Sequence, residues 1–117
     1  MEIRKFNIDG KEVEFVNACR CTRSGFAHDT TLFINGCQYE TATCHYLNRT
    51  WERYTYQTVM RRAVYNLEEY RENRLTERFK TEKGYAKLTA KRKVELAEVI
   101  DNDEEIKFYR AIREALA

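Results

Sequence analysis

Six side chains with soft-ligand or nucleophile chemistry fall within residues 19–45: Cys19, Cys21, Cys37, Cys44, His28 and His45. A structural zinc site takes four such groups in a tetrahedron, usually from tight turns spaced Cys-x-x-Cys. Here the first pair is Cys-x-Cys, and Cys44 and His45 are neighbours on an expected strand, where they point to opposite faces. That spacing fits no ribbon or finger, so the thiols are expected to be free small hydrophobes, with no metal. The same opposition separates Cys44 from His45 as nucleophile and base, and His28-Asp29 has no nucleophile beside it. There is no glycine-rich phosphate loop, no His-Glu-x-x-His and no paired-carboxylate motif. Neither a cofactor nor an enzymatic activity is expected.

The arginines are more informative. Arg71, Arg74 and Arg78 are spaced i, i+3, i+7 and form one helical ridge, with Arg61 and Arg62 two to three turns earlier. A rigid row of guanidinium groups suits phosphate or carboxylate, because each fork donates two parallel hydrogen bonds. Lys80, Lys83, Lys87, Lys91, Arg92 and Lys93 extend the positive field. Glu68, Glu69, Glu72 and Glu77 lie within three or four residues of these arginines. Pairs of that kind are worth about 0.2–0.5 kcal/mol each, so the ridge also reads as an ordinary solvated helix face.

Aromatics crowd the next feature along the chain. Trp51, Tyr54, Tyr56 and Tyr46 cluster with Arg49 and Arg53 interleaved, and Trp, Tyr and Arg dominate binding hot spots and stack nucleic-acid bases. Trp51 is expected to pack beneath the helix, Tyr54 and Tyr65 to be exposed. The candidate partner-binding or nucleic-acid-binding set is therefore Arg53, Tyr54, Arg61, Arg62, Tyr65, Arg71, Arg74 and Arg78.

These residues are positioned by elements whose period changes halfway along the chain. Residues 2–8 alternate into Asp9-Gly10, and Val13, Phe15 and Ala18 continue beyond it. Asn35-Gly36 repeats that logic, preceded by residues 30–34 and followed by residues 39–47. Asp-Gly and Asn-Gly are two-residue hairpin signals, because both residues tolerate positive φ. Two hairpins make a four-stranded antiparallel sheet, with Arg20–Asp29 expected as a surface loop between them. From about Thr55 to Glu82, Met60, Val64, Leu67, Leu75 and Phe79 fall on one helical stripe, and Gly84 is the stop. A second helix is expected after Thr89, burying Val94, Ala97 and Ile100. A third follows Asp101-Asn102-Asp103, with Ile106, Tyr109, Ile112 and Leu116 inward. Residues 48–54 read equally as strand end or helix start. Strands first and helices second is the α+β pattern, a sheet part over 1–50 and a helical part over 55–117 in one domain.

At 117 residues, 43% hydrophobic and 13% aromatic, the chain has material for a core and lies outside the disordered class. No apolar run approaches the ~20 residues of a membrane span, and Met1-Glu2-Ile3-Arg4-Lys5 is no signal peptide, so a cytosolic location is expected. The net charge of +2 conceals an uneven layout. Residues 59–93 carry eleven basic and five acidic groups, whereas residues 94–117 carry three basic and seven acidic. Either the two segments neutralise each other in the fold, or the basic middle meets something anionic.

The run His28–Gly36, followed by His45–Met60 with Tyr-Leu-Asn-Arg-Thr-Trp-Glu-Arg-Tyr-Thr-Tyr-Gln at its centre, resembles small accessory proteins of phages and integrative elements of Gram-positive bacteria. The resemblance covers residues 28–67, about a third of the chain. It implies a host-interaction or anti-defence product, in its most specific form an anti-CRISPR blocking a type II nuclease–guide RNA complex. The basic helix departs from the acidic DNA mimicry of many anti-CRISPRs and implies a grip on guide RNA or on an acidic nuclease surface. The alternative is a direct nucleic-acid-binding accessory protein.

Overall fold

The computed structural model describes residues 2–46 and 53–117, Tyr46 and residues 53–55 by their backbone alone. Four strands, β1 (Glu2–Ile8), β2 (Lys11–Thr22), β3 (Gly25–Ile34) and β4 (Cys37–Tyr46), precede three helices, α1 (Arg53–Lys83), α2 (Ala90–Asp101) and α3 (Glu104–Ala115). The strands form one antiparallel sheet in the order β1-β2-β3-β4. This is the expected α+β architecture, a long helix followed by two shorter ones.

Both hairpin dipeptides do what their chemistry allows. Asp9 and Gly10 have φ of 52° and 76°, and Asn35 and Gly36 have φ of 50° and 80°, the paired positive values of a type I′ turn. The expected loop over Arg20–Asp29 is instead a third hairpin: Cys21 faces Phe26, Thr22 faces Gly25, and Arg23-Ser24 alone turn the chain. Its polar residues are satisfied across strands on the open sheet face. Arg20 Nε donates to Asp29 Oδ2 at 2.7 Å, and Thr43 Oγ1 donates to Asp29 Oδ1 at 2.6 Å. Ser24-Gly25 marks that segment as a loop, whereas it is a strand pair with Arg20 and Asp29 on the open face and Ala27 and His28 buried.

The core lies on the other face. Val13, Phe15, Leu32 and Ile34 of the sheet meet Tyr56, Met60 and Val64 of α1, and Phe108, Tyr109, Ile112 and Leu116 complete the cluster. A large apolar side chain buried this fully contributes about 1.5–3 kcal/mol. Val59 and Ala63 pack beside Ala42. Two polar residues in register, Asn17 and Thr30, are also fully buried, and Thr30 Oγ1 donates to Asn17 Oδ1 at 2.7 Å.

Helix α1 has 31 residues, about 46 Å at 1.5 Å per residue. It ends in a Schellman motif: Tyr85 N donates to Lys80 O at 2.9 Å and Gly84 N to Thr81 O at 3.3 Å, with Gly84 at φ 70°. The accompanying apolar contact is the edge-on pair of Phe79 and Tyr85. Thr89 and Asp103 cap α2 and α3 as their side chains accept from Arg92 N and Ile106 N. Helix α2 does not bury the expected set. Val94 is 61% exposed and Ala97 is exposed, whereas Leu96 is buried and Ile100 half-buried. Because α2 packs chiefly against α1 and α3 among the described residues, it needs just the narrow seam through Leu96 and Ile100, four residues apart.

Candidate anion-binding face of the long helix

The ridge of Arg71, Arg74 and Arg78 does not act as one unit. Arg71 is mostly covered, and its Nε and Nη2 donate to Asp103 Oδ2 and Oδ1 at 3.0 and 2.9 Å. Glu105 stands 3.5 Å from the same Nε. The fork-to-carboxylate geometry raises the Arg71 pKa and holds Asp103 below the ordinary carboxylate range. The expectation of three outward guanidinium groups is therefore corrected: Arg71 is an internal tie between α1 and the start of α3. Here the acidic C-terminal segment does neutralise the basic one.

Arg74 and Arg78 remain exposed, with no ion pair or hydrogen bond among the described residues. Each stands 18 residues after a core residue, Tyr56 and Met60 respectively, and 18 residues is about five full turns. They thus occupy the side of α1 that packs on the sheet in its first half. The second half leaves that side open, so Arg74 and Arg78 are borne on an overhang. Arg78 also lines a recess of about 800 Å³ between α1 and α2, floored by Leu75, Phe79 and Val99.

Towards the other end of α1, Arg61, Arg62 and Tyr65 gather with Thr58, Arg113 and Ala117 around a recess of about 540 Å³. Tyr65 is 52% exposed, as the sequence reading expects. Arg61 Nη2 donates to the Leu116 carbonyl at 3.1 Å, and Gln57 Nε2 donates to the same oxygen. Arg62 has no polar partner among the described residues. Arg113 is the residue that sequence reasoning missed, since it lies far along the chain in a segment marked acidic. Its spacing of three from Arg110 was the available signal, because both reach the same buried carboxylate. Glu68, only 6% exposed at its side chain, accepts from Arg110 Nε at 3.2 Å and from Arg113 Nη2 at 3.3 Å, and its second oxygen, Oε2, lies 3.0 Å from Arg113 Nε as an ion pair. Glu68 is consequently not the local helix pair its spacing implies, and no ion pair within α1 occurs among the described residues.

The aromatic junction divides. Tyr56 is buried, 5.3 Å from His28 and edge-on to it, and so belongs to the core rather than to a surface. Arg53 and Tyr54 stand in the first turn of α1, but their side chains, with Arg49 and Trp51, lie outside the described residues. Among the thiols, Cys19, Cys21 and Cys37 are exposed and Cys44 is half-buried, all unpaired. Cys19 and Cys44 flank the buried His28 in cross-strand register, yet no group of three metal-ligating side chains converges among the described residues. No helix among the described residues is long and apolar enough to cross a membrane. No family model, curated protein or solved structure matches this chain.

Proposed function

We propose that the chain is a non-catalytic binding protein that docks onto an anionic host nucleoprotein through α1. The observation that supports this reading is how the arginines are used. Arg71, Arg110 and Arg113 hold carboxylates of the fold, whereas Arg62, Arg74 and Arg78 are exposed with no ion pair among the described residues. Exposed charges without an ion partner add little to the stability of the fold. On a phosphate or carboxylate surface the same forks gain paired, charge-assisted hydrogen bonds, and Tyr65 adds an aromatic anchor. The resemblance to phage and mobile-element accessory proteins directs the proposal to a CRISPR nuclease with its guide RNA, in the cytoplasm of a bacterial host. A net charge of +2 favours contact with guide RNA or an acidic protein surface over DNA mimicry.

The test is target cleavage by purified type II nuclease–guide complexes with excess protein, together with direct binding to those complexes. Inhibition and binding that disappear in the Arg62→Gln/Arg74→Gln/Arg78→Gln variant support the proposal. Unchanged cutting across several orthologues removes its CRISPR form, and binding indifferent to those three arginines removes the docking mode. A second reading, direct nucleic-acid binding, is favoured by the recess beside Tyr65, whose lining has three arginine side chains and no acidic side chain. It predicts affinity that falls steeply with salt.

A further inference from the structure

We propose that the recess between α1 and α3 is a subsite for one nucleoside phosphate, with Arg61 and Arg62 on the phosphate and Tyr65 against the base. The inference rests on the docking reading and narrows it to a chemical group. Along the outward side of α1 the charges alternate in sign, with Glu69, Glu72 and Glu77 among the arginines. The recess is the exception, lined by Thr58, Arg61, Arg62, Tyr65, Arg113 and Ala117. Its arginines are held in different ways. Arg61 is fixed at the rim by its Nη2 bond to the Leu116 carbonyl, a neutral acceptor, and has no side-chain ion pair among the described residues. Arg113 is oriented by Glu68, its Nε at 3.0 Å and its Nη2 at 3.3 Å from the two carboxylate oxygens. Arg113 Nη1 has no partner among the described residues. Arg62 is wholly uncommitted among them and can close onto an arriving anion.

The volume of about 540 Å³ lies within the range of roughly 300–1,000 Å³ typical of small-molecule sites. A carboxylate from an acidic peptide would use the guanidinium groups but give no role to the Tyr65 ring, which is 52% exposed. A nucleotide uses both, because its base stacks on an aromatic face while its phosphate accepts from the forks. A single unit is implied rather than a continuous strand along the helix. Twelve residues separate Arg62 from Arg74, about 18 Å of helix, and Glu69 and Glu72 stand between them.

The experiment titrates the full chain with adenosine 5′-monophosphate, adenosine, inorganic phosphate and a 5′-phosphorylated octanucleotide, by calorimetry and by amide chemical shifts. The nucleotide is expected to bind at least about tenfold tighter than adenosine or phosphate, since both halves contribute. Arg62→Gln and Tyr65→Ala should each weaken it by about tenfold, Tyr65→Phe should retain it, and Arg23→Gln at the distant β2–β3 turn should not matter. Tighter binding of the octanucleotide identifies a strand as the source, and equal binding identifies free nucleotide; either supports the subsite. Inorganic phosphate binding as tightly as the nucleotide overturns it, and so does hexaglutamate displacing the nucleotide with equal affinity. Should the nucleotide fail while wild-type protein still binds guide-loaded nuclease through Arg74 and Arg78, the subsite falls and the docking reading stands. Should both fail, both fall.

Discussion

Arg71 and Asp103 face each other across the α1–α3 boundary in a two-point bond of 2.9 and 3.0 Å, while Asp103 Oδ2 also accepts from Ile106 N at 3.1 Å to cap α3. One carboxylate thus fixes both where α3 starts and how it leans on α1. Both side chains are less than one-fifth exposed, so solvent screening is weak. Arg71→Gln should cost about 2 kcal/mol, a fall in melting temperature of roughly 5–10 °C. Asp103→Asn preserves the cap, because Asn and Asp cap almost equally well, and so isolates the ion pair. The Asp103 pKa is lowered chiefly by the Arg71 hydrogen bond, which means the carboxylate gains protons more readily when unfolded. Its contribution is complete above about pH 4 and is lost as pH falls through the folded value. Urea melts stepped down from pH 7 should show the wild type well ahead of Asp103→Asn at neutral pH, with that lead shrinking once the pH falls below about 4.

Gly84 offers a cleaner backbone measurement. It closes the Schellman motif at φ 70°, and a Cβ added there meets nothing within 4 Å. Gly84→Ala therefore introduces strain without a clash, and should cost about 1 kcal/mol. Gly84→Asn should recover part of that, since Asn tolerates the left-handed region better. A loss well beyond this in thermal melts would show that α1 and α2 depend on the turn for more than its conformation.

Much of this architecture is legible in local chemistry. Asp9-Gly10, Asn35-Gly36, Gly84, Thr89 and Asp103 each carry a conformational preference that acts within a few residues, and each marks a boundary in the structure. What local chemistry hides is the partner chosen at long range. The i, i+3, i+7 spacing of Arg71, Arg74 and Arg78 puts them on one ridge, but only the docking of α3 decides that Arg71 is consumed. Glu68 has nearby positive residues in sequence and takes distant Arg110 and Arg113 instead. Val94 and Ala97 have an apolar spacing that the few neighbours of α2 leave unused.

His28 sets a second, separate acid response. It is fully buried on the core face, edge-on to Tyr56 and in register with Cys19 and Cys44, while neighbouring Asp29 points to the open face. Burial lowers its pKa from 6.5, and Asp29 opposes that only in part. Between 6.5 and the folded value the unfolded chain binds a proton that the folded chain refuses, so stability declines as pH drops. The slope cannot exceed about 1.4 kcal/mol per pH unit for one group. Chemical denaturation at half-unit steps from pH 7.5 to 5 should show this decline in the wild type and a flat response in His28→Leu, whatever stability that variant has lost overall.

Arg74 and Arg78 separate surface chemistry from structural chemistry on a single helix. Their overhang position leaves both exposed and unpaired among the described residues, so Arg74→Gln/Arg78→Gln should shift stability by no more than about 0.5 kcal/mol. If they contact phosphates, each displaces close to one condensed counterion. Binding of the double variant to a nucleoprotein or oligonucleotide, followed from 50 to 300 mM salt, should then lose about two from the slope of log K against log salt. Arg71→Gln should do the reverse, lowering the melting temperature while leaving the slope unchanged, because its charge already belongs to Asp103. Equal slopes in all three proteins would show that the overhang is not where a phosphate sits. An Arg71→Gln slope as shallow as that of the double variant would show that the bond to Asp103 opens on binding.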